Sequence, residues 1–171
     1  NNKVTAINAA YYGTCAVVSS NVYCWGNGVA TPKGMSSGKT VNVGSTSACS
    51  VDYFKSVSCW GANNVGQLGI GTTSTPTTAM KVNDISTAKS VSVGSNRACA
   101  VLTDGTIQCW GAWASQTMVG GSMDDSLVPV TVPGITTATE VSVGDGTDCA
   151  ILGNGSLYCW NLLGTSNVYS F

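Results

Sequence analysis

The stretch "VSVGSNRACAVLTDGTIQCWG", residues 91–111, contains two runs of strand-like sequence, a turn between them and one cysteine in each run. Alternation of apolar and polar residues, as in "SVSV" and "TIQCW", is typical of β-strands that bury one face. Thr103-Asp104-Gly105 has the composition of a hairpin loop. A three-residue loop with Gly105 in the left-handed conformation places Cys99 opposite Cys109, within disulfide range.

This unit recurs along the chain. The first cysteines of the units are Cys15, Cys49, Cys99 and Cys149, and the second are Cys24, Cys59, Cys109 and Cys159. The last three units are fifty residues apart, whereas the first is shorter, and we place the repeats at about 1–38, 39–88, 89–138 and 139–171. Four short strands in 40–50 residues are typical of a propeller blade. We therefore predict an all-β β-propeller, a single domain 1–171 with about four four-stranded blades in a small, open or partial ring.

The repeat also predicts how the cysteines pair. Each hairpin would hold one disulfide: Cys15–Cys24, Cys49–Cys59, Cys99–Cys109 and Cys149–Cys159. The cysteines of the first repeat are one residue closer, and a two-residue loop at Ser19-Ser20 keeps them opposite each other. Free buried thiols are the alternative, and zinc is disfavoured because the chain has neither a Cys-x-x-Cys motif nor histidine. Four disulfides imply an oxidising compartment, either the periplasm or the cell exterior.

The composition excludes several classes of function. Charged residues make up 9% of the chain and the net charge is −1, so we expect no binding of nucleic acid. No apolar run is long enough to insert into a membrane. The chain has no histidine, the commonest general base and metal ligand, and we expect no enzyme activity, no metal and no cofactor. The chain begins "NNKVTAINAA", and we expect it to be a mature or excised segment.

Two segments resemble repeats of the regulator of chromosome condensation family. They are the stretch 91–111 quoted above and "CWGANNVGQLGIGTTSTPTTAMKV", residues 59–82, with its Asn64, Gly66-Gln67-Leu68-Gly69 and Gly71-Thr72. The resemblance implies a β-propeller, usually of seven four-stranded blades, whose glycine-ended strand lies near the central channel. The cysteines and the Cys-Trp-Gly motif are similar to those of exported bacterial members. The family often has a histidine two residues before the first cysteine, where this chain has Gly13, Ser47, Arg97 and Thr147.

Members of that family differ in function. They include a nucleotide exchange factor for a small GTPase, a plant ultraviolet photoreceptor and a secreted inhibitor of β-lactamases. The resemblance thus implies a rigid disc that binds partners through loops. Our leading hypothesis is an extracellular or cell-surface module of an exported bacterial protein, in adhesion or in a pilus or fibre, binding a protein, a cell-surface ligand or neighbouring subunits. The alternative is a secreted enzyme inhibitor. A nucleotide exchange factor is disfavoured because disulfides do not persist in cytosol.

Candidate contact residues lie outside the repeated positions. Trp25, Trp60, Trp110 and Trp160 recur at equivalent sites, so we expect all four to pack between blades. The candidates for binding are the non-repeated side chains Trp113, Met118, Met123, Tyr11 and Tyr12, because such positions are free to serve contact. We expect Asp124, Asp125, Asp145 and Asp148 to be solvated turn acids and not calcium ligands, since neither group has the full pattern of a calcium loop. Asn154-Gly155-Ser156 is formally a glycosylation acceptor that we read as a turn.

Overall fold

The described chain consists of fifteen β-strands in four antiparallel sheets. The structure, a computed structural model, describes residues 3–11, 13–26, 29–32, 35–112, 124–161 and 166–169. Each sheet is one blade, numbered in chain order. Blade 1 contains β1 (Val4–Ala10), β2 (Gly13–Val18) and β3 (Asn21–Gly26), and blade 2 contains β4 (Gly38–Val43), β5 (Ser47–Asp52), β6 (Val57–Gly61) and β7 (Met80–Lys81). Blade 3 contains β8 (Ala88–Val93), β9 (Arg97–Leu102), β10 (Ile107–Gly111) and β11 (Ser126–Thr131), and blade 4 contains β12 (Ala138–Val143), β13 (Thr147–Leu152), β14 (Leu157–Asn161) and β15 (Ser166–Tyr169).

The all-β propeller predicted from the repeat is confirmed, with one difference in blade 1. Three blades have four strands, whereas the described part of blade 1 has three. The first repeat is the short one, which leaves little chain between β3 and β4. The described residues contain no helix that could cross a membrane.

Each hairpin between the second and third strands of a blade has the predicted register. Cys99 lies opposite Cys109, and Gly105 has φ +84° in the three-residue loop. In blade 1, Ser19 and Ser20 both have positive φ, as a two-residue loop between right-twisted strands requires. The eight cysteines form the four predicted disulfides, with Cα atoms 4.0–4.1 Å apart.

Every blade has two different faces. Face A carries the disulfide and points to the next blade, while face B carries the tryptophan and points to the preceding blade. Face A of blade 2, with Val51 and Val57, packs against face B of blade 3, with Val91, Val93 and Trp110. The joints between blades 1 and 2 and between blades 3 and 4 have the same construction. The hydrophobic core therefore lies between the blades.

The inner strands β1, β4, β8 and β12 contact one another in series. Each joint has a hydrogen bond from a valine N–H to a polar side chain of the preceding inner strand. Val43 N donates to Asn8 Oδ1, Val93 N to Asn42 Oδ1 and Val143 N to Ser92 Oγ, over 2.8–3.0 Å. These bonds explain why a polar residue stands between apolar ones in "INA", "VNV" and "VSV". A Cβ on Gly44 would overlap the carbonyl oxygen of Gly94, so glycine permits the close approach of blades 2 and 3.

The four blades form an open ring. Face A of blade 4 and face B of blade 1 are exposed, although the corresponding faces of the other blades are buried in the joints. Each end of the row therefore exposes a face that, in the other blades, packs against a neighbouring blade.

Candidate functional site

Only one of the predicted contact residues lies in the described part of the chain. Tyr11 is exposed at the turn between β1 and β2. Tyr12, Trp113, Met118 and Met123 lie outside the described residues, so their role in binding stays a prediction.

The position of Tyr11 belongs to a series of equivalent turn residues. Ser45, Ser95 and Asp145 occupy this position in the other blades, at the end of the inner strand. The Oγ atoms of Ser45 and Ser95 are 3.0 Å apart, and Ser95 Oγ donates to the Asp145 carboxylate. Tyr11 therefore adds an aromatic side chain to a rim that is otherwise made of hydroxyl and carboxylate groups.

The hairpin of blade 2 presents two exposed aromatic side chains at its tip. Tyr53 is half exposed and Phe54 is 79% exposed, between β5 and β6. The other three blades have small or polar turn residues at this tip: Ser19-Ser20, Thr103-Asp104-Gly105 and Gly153-Asn154-Gly155. Exposure of two aromatic rings to water is unfavourable, and neighbouring exposed aromatic residues are typical of a protein contact surface.

Hydrogen bonds hold this tip in one conformation. Asp52 Oδ1 accepts from the backbone N–H groups of Phe54 and Ser56, each at 2.9 Å. Lys55 has φ +66°, the conformation that glycine adopts in the hairpins of blades 3 and 4. The carbonyl oxygen of Lys55 also accepts from Ala88 N at 2.9 Å, which ties the tip to blade 3. The aromatic pair is therefore presented with its backbone already ordered, which lowers the entropy cost of binding.

Face B of blade 1 is an exposed apolar surface. Ile7 is 66% exposed, Trp25 is 52% exposed and Tyr23 is half exposed. The expectation that all four repeated tryptophans pack between blades is therefore wrong for Trp25, while Trp60, Trp110 and Trp160 are buried. The reason is that no described residue packs on the side of blade 1 that faces away from blade 2.

Face A of blade 4 is the matching surface at the other end of the row. Ile151 is 41% exposed, although its equivalents Val51 and Val101 are fully buried. A shallow cleft on this face is lined by Glu140, Ser142, Cys149, Ile151 and Leu157. Glu140 is the one charged group of this lining.

The joint between blades 3 and 4 contains a buried ion pair. Arg97 donates from Nε and Nη2 to the Asp148 carboxylate over 2.8–3.1 Å, and from Nη2 to the carbonyl oxygen of Gly144. Burial raises the pKa of Asp148 above its usual value, and the hydrogen bonds and charge of Arg97 oppose that rise. The expectation of a solvated turn acid is wrong for Asp148, because the position of the family's histidine holds an arginine that reaches across the joint. Asp124, Asp125 and Asp145 are exposed, as expected.

The segment Asn63–Gly71 supports one of the tryptophans. Trp110 Nε1 donates to the carbonyl oxygen of Gln67 at 3.0 Å, and the Asn63 side chain accepts from Leu68 N.

Trp60 Nε1 is buried without a hydrogen-bond partner among the described residues. A cleft of about 310 Å³ beside Trp60 is lined by residues that include Pro32 and Pro76. The short first repeat has no sequence like Asn63–Gly71, and among its described residues none takes the place of that acceptor for Trp60.

The tip of the blade 2 hairpin is not among the contact residues predicted from the sequence. The signal was present, because "VDYFKS" has two aromatic residues where the equivalent "LTDGT" and "LGNGS" have turn residues.

Within the described ranges, no three His, Cys, Asp or Glu side chains are grouped as they would be to hold a metal ion.

Comparisons with known proteins agree with the repeat and the fold. The family described as "Regulator of chromosome condensation (RCC1) repeat" matches residues 88–112, which cover the first three strands of blade 3. No curated protein sequence matches the chain.

Several solved structures are similar to the chain in fold but distant in sequence. Prp20p from Saccharomyces cerevisiae and human WBSCR16 each superpose with a TM-score of 0.78 at 16% identity over 94% of this chain. The chain spans only 46% and 48% of the lengths of those two structures. The computationally designed Ika4 protein has a TM-score of 0.52 at 13% identity, with 94% of this chain and 92% of Ika4 covered. These identities show the fold alone. The predicted resemblance is thus confirmed: the chain is a row of four propeller blades whose repeats are similar to those of the regulator of chromosome condensation family.

Proposed function

We propose that the chain is a non-enzymatic binding and structural module outside the cell, which acts in adhesion or as part of a pilus or fibre. The observation that carries the proposal is the pair of exposed blade faces. Face B of blade 1 and face A of blade 4 have the side-chain types that pack against each other in the joints. Exposed apolar faces of this kind are typical of surfaces that a partner covers.

The disulfides and the surface support the extracellular location. One disulfide in each blade is typical of proteins in an oxidising compartment. Charged residues make up 9% of the sequence, so the contacts of this module would depend on shape and apolar burial more than on charge. Prp20p, whose structure was described with its binding to Gsp1p and histones, has the same fold, but 16% identity does not transfer those partners.

A second candidate function is inhibition of an enzyme by a secreted propeller. The tip of the blade 2 hairpin favours it, because Tyr53 and Phe54 project on an ordered loop. A rigid aromatic tip can insert into a concave site such as an active-site cleft.

Attachment to material from the native host separates the two candidates. The labelled chain and its variants are incubated with purified filaments or cell envelopes, and bound protein is measured. We expect Ile7→Asp and Ile151→Asp to weaken attachment by at least about 10-fold, since each would bury an unpaired carboxylate at the contact. Both side chains are exposed in the single chain, so each variant should fold and give the circular dichroism spectrum of the wild type.

Phe54→Ala is the matched control, since it removes an exposed aromatic side chain from another surface. It should attach like the wild type. If Ile7→Asp and Ile151→Asp also attach like the wild type, the proposed function is wrong. Loss of binding to a soluble enzyme in Phe54→Ala alone would establish the inhibitor instead.

A further inference from the structure

The three joints within the chain follow one rule. Face A of the preceding blade supplies the disulfide and two apolar side chains, and face B of the following blade supplies valines and a tryptophan. The hydrogen bond from the inner strand of the following blade completes the joint. A joint is therefore directional, because face A meets face B and not another face A.

Face A of blade 4 has the disulfide, the apolar pair and the hydrogen-bond acceptor position of its half of a joint. Ser142 occupies the position of Ser92 and Asn42, which accept the joint hydrogen bond, and its own side chain is exposed. Ile151 and Leu157 lie opposite each other, as Val101 and Ile107 do in blade 3.

Face B of blade 1 has the other half. Trp25 lies opposite Thr14, as Trp60 lies opposite Ala48 in blade 2. Ala9 holds the position of Val43, whose N–H donates across the joint. Ile7, in the position of Val41, supplies the apolar side chain of the inner strand.

We propose that a second copy of the chain covers these faces, so that blade 4 of one copy packs against blade 1 of the other. This inference rests on the proposed use of the open faces as contact surfaces. It names a second copy of the chain as the partner on those faces, so Ile7→Asp and Ile151→Asp would weaken attachment to filaments by breaking up the ring. In the new joint, Ala9 N of one copy would donate to Ser142 Oγ of the other, and Trp25 would cover Ile151 and Leu157. Two copies form this joint twice, which closes a ring of eight blades.

The charges of the two faces are compatible with this joint. Glu140 lies on face A, on the inner strand near the hairpin end of blade 4. Lys3 precedes β1 at the hairpin end of blade 1, where its carbonyl oxygen accepts from Ser19 N. The joint would therefore bring an acidic and a basic residue to the same end of the ring.

The test is the molar mass of the purified chain in solution, measured by light scattering and sedimentation over a range of concentrations. We expect a species of twice the 17.4 kDa of one chain. Ile7→Asp and Ile151→Asp should each weaken self-association by roughly 100-fold, because a carboxylate would be buried without a partner. Phe54→Asp, a charge placed on another exposed surface, should remain a dimer.

Mixing the two single variants tests the direction of the joint. Ile7→Asp keeps an intact face A and Ile151→Asp keeps an intact face B, so one wild-type joint can form between them. We expect the mixture to give a heterodimer although each variant alone is a monomer. This rescue also shows that both variants are folded.

Three results would overturn the inference. They are a wild-type chain that is monomeric at all concentrations, single variants Ile7→Asp and Ile151→Asp that each remain dimers, or a mixture of these two variants that stays monomeric. A monomeric wild type whose Ile7→Asp variant still loses attachment to host filaments would overturn the second copy only, and the proposed function would stand.

Discussion

At the scale of single residues, Trp60 and Trp110 occupy equivalent positions but differ in one hydrogen bond. Trp110 Nε1 donates to the carbonyl oxygen of Gln67, and Trp60 Nε1 has no acceptor in the part of the chain described. Phenylalanine keeps most of the apolar volume of either side chain and removes the N–H. Trp110→Phe should therefore lower the free energy of unfolding by about 1 kcal/mol more than Trp60→Phe, because it leaves a buried carbonyl unsatisfied. Chemical denaturation of both variants measures this difference, and equal losses would contradict the account.

The ion pair between Arg97 and Asp148 predicts strong coupling between two substitutions. Arg97→Met leaves the buried carboxylate of Asp148 unpaired and should cost about 3–5 kcal/mol of unfolding free energy. Asp148→Ala alone leaves the buried guanidinium without its counter-ion. The double variant should be more stable than Arg97→Met, since Ala98 occupies the equivalent position in the joint between blades 2 and 3, opposite Trp110 as Asp148 is opposite Trp160. A double-mutant cycle with additive effects would show that the pair does not interact.

At the scale of secondary-structure elements, the hairpin of blade 1 uses residues that do not favour its turn. Ser19 and Ser20 have φ of +49° and +68°, in a region that Asn and Gly populate more readily. The combined substitutions Ser19→Asn and Ser20→Gly should raise the free energy of unfolding by about 1 kcal/mol. Thermal unfolding checks this, with Thr103→Asn as a control at a position without positive φ. A loss of stability would mean that the turn has another conformation.

The hairpins were predictable because their signal is local. Loop length, turn residues and strand alternation fix the register, so the cysteine pairs and the loop at Ser19-Ser20 follow from the sequence. The exposure of Trp25 did not follow, because it depends on whether another blade packs on blade 1. The burial of Asp148 did not follow either, since its partner Arg97 lies on another blade, 51 residues away in the chain.

At the scale of the whole molecule, the period of the sequence predicted the number and order of the blades. It did not predict which surfaces are candidates for contact, because repeated residues pack between the blades and contact residues need not repeat. Tyr53 and Phe54 illustrate this, since they depart from the repeat at a single hairpin tip. The open faces of blades 1 and 4 show the opposite case, because residues at repeated positions that are buried in the other blades are exposed there.

Our central proposal is that this row of disulfide-linked blades works outside the cytosol. The most direct test is to trap thiols with an alkylating reagent in intact cells of the native host, and then to map the peptides of this protein by mass spectrometry without reduction. We expect no alkylated cysteine and four links, each within one blade: Cys15–Cys24, Cys49–Cys59, Cys99–Cys109 and Cys149–Cys159. Alkylated cysteines in the protein from its host, or a link between two blades, would contradict it.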